Sequence, residues 1–164
     1  MKRIDHERLA FLCTVVRKEI TLLLQSIQEL QPAYASKSDA EITVLLSTNQ
    51  RINEVIELFA GRFSRLQDTV GDKLLEQLMR ALSEPPLAQL AKLDRAEALG
   101  WLSSANLWLE TRQLRNLLVH EYIEAPELLV ASVRTALDRC SLLLDTAERL
   151  IAEVNKITPQ TSSS

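Results

Sequence analysis

Residues 42–66, ITVLLSTNQRINEVIELFAGRFSRL, decide the fold class. Ile42, Leu45, Asn49, Ile52, Ile56, Phe59, Phe63 and Leu66 follow one another at alternating steps of three and four. That spacing lines one stripe of an α-helix, where each residue turns about 100°, and does not line one face of a strand, where the period is two. Asn49 is the polar member of the stripe. Such a residue can fix register in a helical seam, and a partly exposed or internally bonded side chain is the simpler reading. The same steps return at Val130, Val133, Leu137, Cys140, Leu144, Ala147, Ile151 and Val154, and more loosely at Leu12, Val16, Ile20, Leu23, Ile27 and Leu30. Seams of this length predict an all-α fold, an antiparallel bundle of four to five helices packed at about +20°.

The connections carry their own signals. A first helix is expected from about Ile4 to Leu30, ended by Pro32 and the polar Ser36-Lys37-Ser38. Ser38 with Glu41 has capping-box spacing and starts the second helix. Helix continues or restarts over Gln67–Leu82, with Gly71 weakening an unbroken rod. Pro85-Pro86 forces a loop, Leu87–Leu99 forms a shorter helix and Gly100 marks its end. Ser103 or Ser104 caps the next helix, and Pro126 suits the first turn of the last. Residues 1–157 read as a single domain, and residues 158–164 as a flexible tail with nothing to bury.

Composition agrees with a bundle: 46% of the chain is hydrophobic but only 4% aromatic, and three glycines suffice for all its connections. The net charge of −3 argues against broad binding of polyanions, and residues 101–139 hold four arginines against five acids. The N-terminal segment lacks a signal peptide's apolar core, and no apolar run approaches a membrane span. Cys13 and Cys140 have no metal-ligand spacing and read as reduced core thiols. The expectation is a cytoplasmic protein with no metal, no cofactor and no membrane attachment.

Candidate chemistry concentrates in Arg115-Asn116-Leu117-Leu118-Val119-His120-Glu121-Tyr122. On a continuous helix Arg115 and Tyr122 share a row, Asn116 and His120 share the next, and Leu107, Leu114 and Leu118 cluster on the opposite flank toward the core. Histidine titrates near neutral pH, and arginine offers a fixed cationic fork for phosphate. An imidazole and a guanidinium are the minimum for metal-free RNA cleavage, one moving the proton and the other stabilising the phosphorane. A symmetric dimer would supply the second histidine that the two proton transfers require. The plainer reading is a hydrogen-bonded helix end.

These eight residues match the R-x4-H-x-Y signature of the HEPN superfamily (higher eukaryotes and prokaryotes nucleotide-binding). They resemble most the HepT-type toxins and nucleotidyltransferase substrate-binding proteins of HEPN–MNT pairs. The segments Leu93–Gly100 and Trp108–Leu114 extend the likeness, and Asp68–Leu75 is a weaker echo, so that it covers about residues 40–150. The first helix and Ser83–Pro86 are extra length relative to that family. The resemblance implies a HEPN-like bundle forming a homodimer, with the motif helices lining a cleft. It further implies a metal-independent endoribonuclease toxin of a type VII-like toxin–antitoxin system. Arg115 and His120 would be catalytic, Asn116 would orient the RNA substrate or the imidazole, and Tyr122 would receive AMP from a cognate MNT-type nucleotidyltransferase antitoxin. Apart from the resemblance, Arg112 could supply a phosphate contact that helps orient the RNA substrate. The alternative is a non-catalytic substrate-binding or partner subunit of that transferase. A third reading is a structural bundle whose motif only tethers helices. Trp101 and Trp108, seven apart, are expected in core or interface packing. Arg134 and Arg139 are expected on solvated faces, and His6 is expected exposed at a helix start.

Overall fold

The computed structural model describes residues 5–120 and 125–158, with His120 described by its backbone alone. Among these residues the fold is all-α. Helix α1 spans His6–Ser36, opened by Asp5, whose side chain accepts from the Arg8 N–H. It runs past Pro32, where sequence reading ended it. The residues beyond the proline are held from outside the helix. Buried Tyr34 donates its hydroxyl to the Val130 carbonyl at 2.9 Å, and Arg134 donates to the Tyr34 and Lys37 carbonyls. Such tertiary bonds offset the amide hydrogen that proline lacks.

Helix α2, Asp39–Thr48, begins with the expected capping box of Ser38 and Glu41. The stripe at 42–66 is then cut in two. Asn49 takes extended backbone angles and caps α3, Gln50–Asp68, its side chain accepting from the Arg51 and Ile52 N–H groups. Ser47 and Thr48 also turn their hydroxyls onto local carbonyls. A run of short polar side chains thus competes with the helix ladder where the apolar rhythm alone predicts none.

Past Asp68 the chain does not stop but widens. Thr69–Leu74 is a π-helical turn, followed by α4, Leu75–Ala81. Gly71 sits there because Trp108 presses on it: a Cβ would lie 3.0 Å from Trp108 Cζ2. Helix α5, Gln89–Ala98, ends in Gly100 at φ 79°, with the Trp101 N–H reaching the Ala96 carbonyl and the Gly100 N–H the Glu97 carbonyl. That pair of bonds is a Schellman motif, which needs a left-handed residue at the glycine. Ser104 caps α6, Ala105–His120, by accepting from the Leu107 N–H. Helix α7, Pro126–Ile157, starts with proline in its first turn. Thr158 closes it, and the remainder of the tail, like Ile4, lies outside the described residues.

Cross-helix pairs give the directions. Glu29, Ser26 and Glu19 on α1 meet Arg51, Arg62 and Thr69 in reverse order, so α1 and α3 are antiparallel. Asp68 and Asp72 meet Arg115 and Arg112, which sets α3 and its π turn antiparallel to α6. Gly100 and Glu110 meet Arg149 and Arg139, which sets α6 against α7. One continuous core joins these helices, with Phe59, Phe63, Leu23, Leu74, Val130 and Leu143 fully enclosed. Truncating such a leucine to alanine removes about 2–5 kcal/mol. Cys13 and Cys140 are buried free thiols, and burial pushes Cys140 up to about 12, which keeps it inert. No helix among the described residues is long and apolar enough to cross a membrane.

Arg134 and His6 depart from expectation, while the tryptophan pair is buried in the core as expected but is not set on one helix. Arg134 is no solvated side chain: besides its two carbonyls it holds Asp39 at 2.6 Å and lies 4.8 Å over the Tyr34 ring. His6 is half-buried, its Nδ1 shielded from solvent. Trp101 precedes α6, so its seven-residue spacing from Trp108 is not a helical row. Both rings are nonetheless buried around the same small apolar cavity, against Val70, Gly71 and Leu93.

Candidate functional site

The site is built on α6, and its shape follows from which face of that helix is buried. Trp108, Thr111, Leu114 and Leu118 point inward, and Leu107 is half-buried. Thr111 returns its hydroxyl to the Leu107 carbonyl, so even this polar residue adds no free group to the core. On the neighbouring flank Arg115 is half-buried, its side chain 28% exposed, while Asn116 next to it is exposed. The helix continues through His120, which keeps Asn116 and His120 four apart on one row. Tyr122 lies outside the described residues, as does the His120 side chain.

Arg115 is already engaged. One Nη donates to Asp68 at 2.8 Å and the other to the Asn116 side-chain oxygen at 3.3 Å, while Nε is shielded and has no partner among the described residues. A guanidinium has five N–H donors, so both Nη groups retain a hydrogen beyond these bonds. Arg112 stands 3.7 Å from Asp72, one turn back along α6. The two pairs form a short ladder across the α3–α6 boundary. With side chains this exposed, each contributes about 0.2–1 kcal/mol, which orients the arginines more than it stabilises the fold.

Behind the ladder lies a buried carboxyl. Glu19 accepts from the Thr69 hydroxyl at 3.0 Å, and burial pushes its acid above the ordinary range, against the lowering pull of that bond and of Arg65 and Lys73. Residues 68 and 69 thus link two helices in succession, Asp68 to α6 and Thr69 to α1.

No family model, curated protein or solved structure matches this chain. The site therefore rests on its own geometry. Of the residues singled out from sequence, the structure places Arg112, Arg115 and Asn116 together at one boundary. Sequence reasoning missed Asp68 and Asp72 as their partners. Their signal was present: acids four apart on one helix and arginines three apart on another, opposite in sign. It becomes legible only once the two helices are known to be antiparallel neighbours. Arg139 is half-buried rather than on a solvated face, and pairs with exposed Glu110 at 3.3 Å.

Proposed function

We propose that this chain is a HEPN-type endoribonuclease toxin in which Arg115 and His120 cleave RNA. The observation that supports this reading is Arg115: a guanidinium held at a helix boundary beside exposed Asn116, on a helix that runs on to His120. Arginine and histidine are five positions apart, about 7.5 Å along the axis, a span a phosphodiester and its flanking ribose can bridge. His120 takes the proton of the ribose 2′-OH, whose oxygen attacks phosphorus. Arg115 stabilises the pentavalent phosphorane, and the 5′-oxygen leaves with a proton from a second imidazole across a dimer cleft. The products are a 2′,3′-cyclic phosphate and a 5′-hydroxyl. Asn116 and Arg112 orient the strand. Transfer of AMP from ATP to the Tyr122 oxygen, with pyrophosphate leaving, would add an anion near Arg115 and block the site.

The test is cleavage of RNA by purified wild type and by His120→Ala, with circular dichroism as the fold control. His120→Ala should lose at least about 100-fold in rate. Equal cleavage by both proteins overturns the reading. Tyr122→Phe should still cleave yet take up no AMP from the partner transferase.

A second reading, a non-catalytic platform for that nucleotidyltransferase, is favoured by the Arg115–Asp68 ion pair and the net charge of −3, both of which oppose binding of a polyanion. Wild type that binds the transferase but leaves RNA intact would establish it.

A further inference from the structure

The outer face of α3 has a feature its own fold does not use. Gly61 lies in the interior of that helix, where glycine weakens the backbone more than any residue but proline. At Gly71 a pressing tryptophan explains the missing side chain. At Gly61 a Cβ would meet nothing within 4 Å, and the residue is exposed. Beside it Leu58 is 46% exposed, and the two border a shallow groove of about 520 Å³ with Val55 at its base. A glycine next to a protruding leucine on an open helix face suits the close approach of another helix.

The charges say which helix. Glu54, Leu58, Gly61 and Arg65 succeed one another at steps of four, three and four, forming one row of α3. Glu54 and Arg65 are about 16 Å apart along the axis, too far to pair within the helix. Placed against an antiparallel copy of itself, the row is self-complementary: Glu54 faces Arg65, and Leu58 fills the gap left by Gly61. Within α3, Glu54 accepts from the Gln50 side chain at 3.3 Å and stands 3.9 Å from Arg51, exposed contacts that an arginine of a second copy can replace. The flanking charges also have partners in their own chain. Arg51 holds Glu29 at 2.7 Å, Arg62 donates to the Leu22 carbonyl and Ser26, and Asp68 holds Arg115.

We propose that α3 is an isologous interface with a second copy of this chain, centred between Leu58 and Gly61 and closed at both ends by Glu54–Arg65 pairs. A two-fold axis makes each contact occur twice. The contact is distinct from any cleft between motif helices, because it sets the two Asp68–Arg115 pairs about 25 Å apart along the paired axes. It does not rest on RNA cleavage.

Light scattering of the full chain across a dilution series tests it. Wild type should have an even multiple of the protomer mass. Gly61→Leu, Glu54→Arg and Arg65→Glu should each halve that mass, the first by filling the gap and the others by setting like charges together. An equimolar mixture of Glu54→Arg and Arg65→Glu should regain the wild-type mass, since in the mixed pair every charge meets its opposite. Monomeric wild type overturns the proposal, as does wild-type mass in the charge variants or a mixture that stays at half mass. Should Gly61→Leu lose helicity, the mixture alone decides. Cleavage does not enter the measurement, so failure of the ribonuclease reading leaves its outcome unchanged.

Discussion

Two arginines of this molecule, Arg134 and Arg115, sit at helix boundaries with similar exposure and opposite degrees of commitment. Arg134 holds a carboxylate, two carbonyls at the end of α1 and the face of Tyr34. Besides that carboxylate its partners are fixed backbone and a buried ring, which hold the guanidinium in one place. Arg115 holds a carboxylate at 2.8 Å and a neighbouring amide at 3.3 Å. Its partners are half-exposed side chains that can rotate away. The difference separates a cation that builds the fold from one whose counter-charge can leave, as the proposed binding of a phosphate requires, and total charge would not reveal it.

Substitution should separate the two most sharply in activity. Arg115→Ala is expected to lower RNA cleavage at least about 100-fold, while its melting temperature moves by no more than about 2–3 °C, because an exposed pair is worth so little. Arg134→Ala should do the reverse, with cleavage per folded molecule near wild type and stability down by about 2 kcal/mol, or about 4–8 °C. If both variants lose stability equally, the contrast fails. Asp68→Asn keeps the acceptor but removes the counter-charge. Kinetics on RNA should then give a KM lower by up to about fivefold at unchanged kcat. A raised KM would instead make Asp68 the residue that aims Arg115 at its substrate.

The smallest effect concerns Glu19, whose folded acid is raised by burial. A carboxyl with a raised folded pKa binds more protons folded than unfolded, so its contribution is most favourable in acid and is lost as pH rises through the raised value. Glu19→Gln removes that loss. The difference in melting temperature, variant minus wild type, should therefore be more positive at neutral pH than in acid. No change across that range would show that the carboxyl titrates normally.

Much of this architecture was legible in the chain. The step pattern of Phe59, Phe63 and Leu66, the Ser38–Glu41 box and the Gly100 and Pro126 boundaries each report local physics, and local physics is what a single sequence records. What escaped was set by distant partners. Pro32 reads as a stop until Arg134, far along the chain, takes the carbonyls beyond it. Asn49 reads as a member of a stripe until its oxygen is seen on two amides of the following turn. Asp68 shows no partner in the sequence until antiparallel α6 brings Arg115 to it. In the motif itself, residue types and spacing named Arg115 and Asn116 but not the carboxylate that holds the arginine.

The π-helical turn at Thr69–Leu74 carries one residue more than an ordinary helix needs to cover the same rise. It therefore acts as a phase shift of about 100° between α3 and α4. Everything upstream is set in angle by α1 and α6, and everything downstream by the packing of Leu75, Leu78 and Met79. Deleting a single residue from the turn would restore regular hydrogen bonding yet put the two halves out of step. Asp68 and Thr69 could then keep their partners only if α4 turned its leucines out of the core. A shorter, locally more regular chain would fold less well than this one.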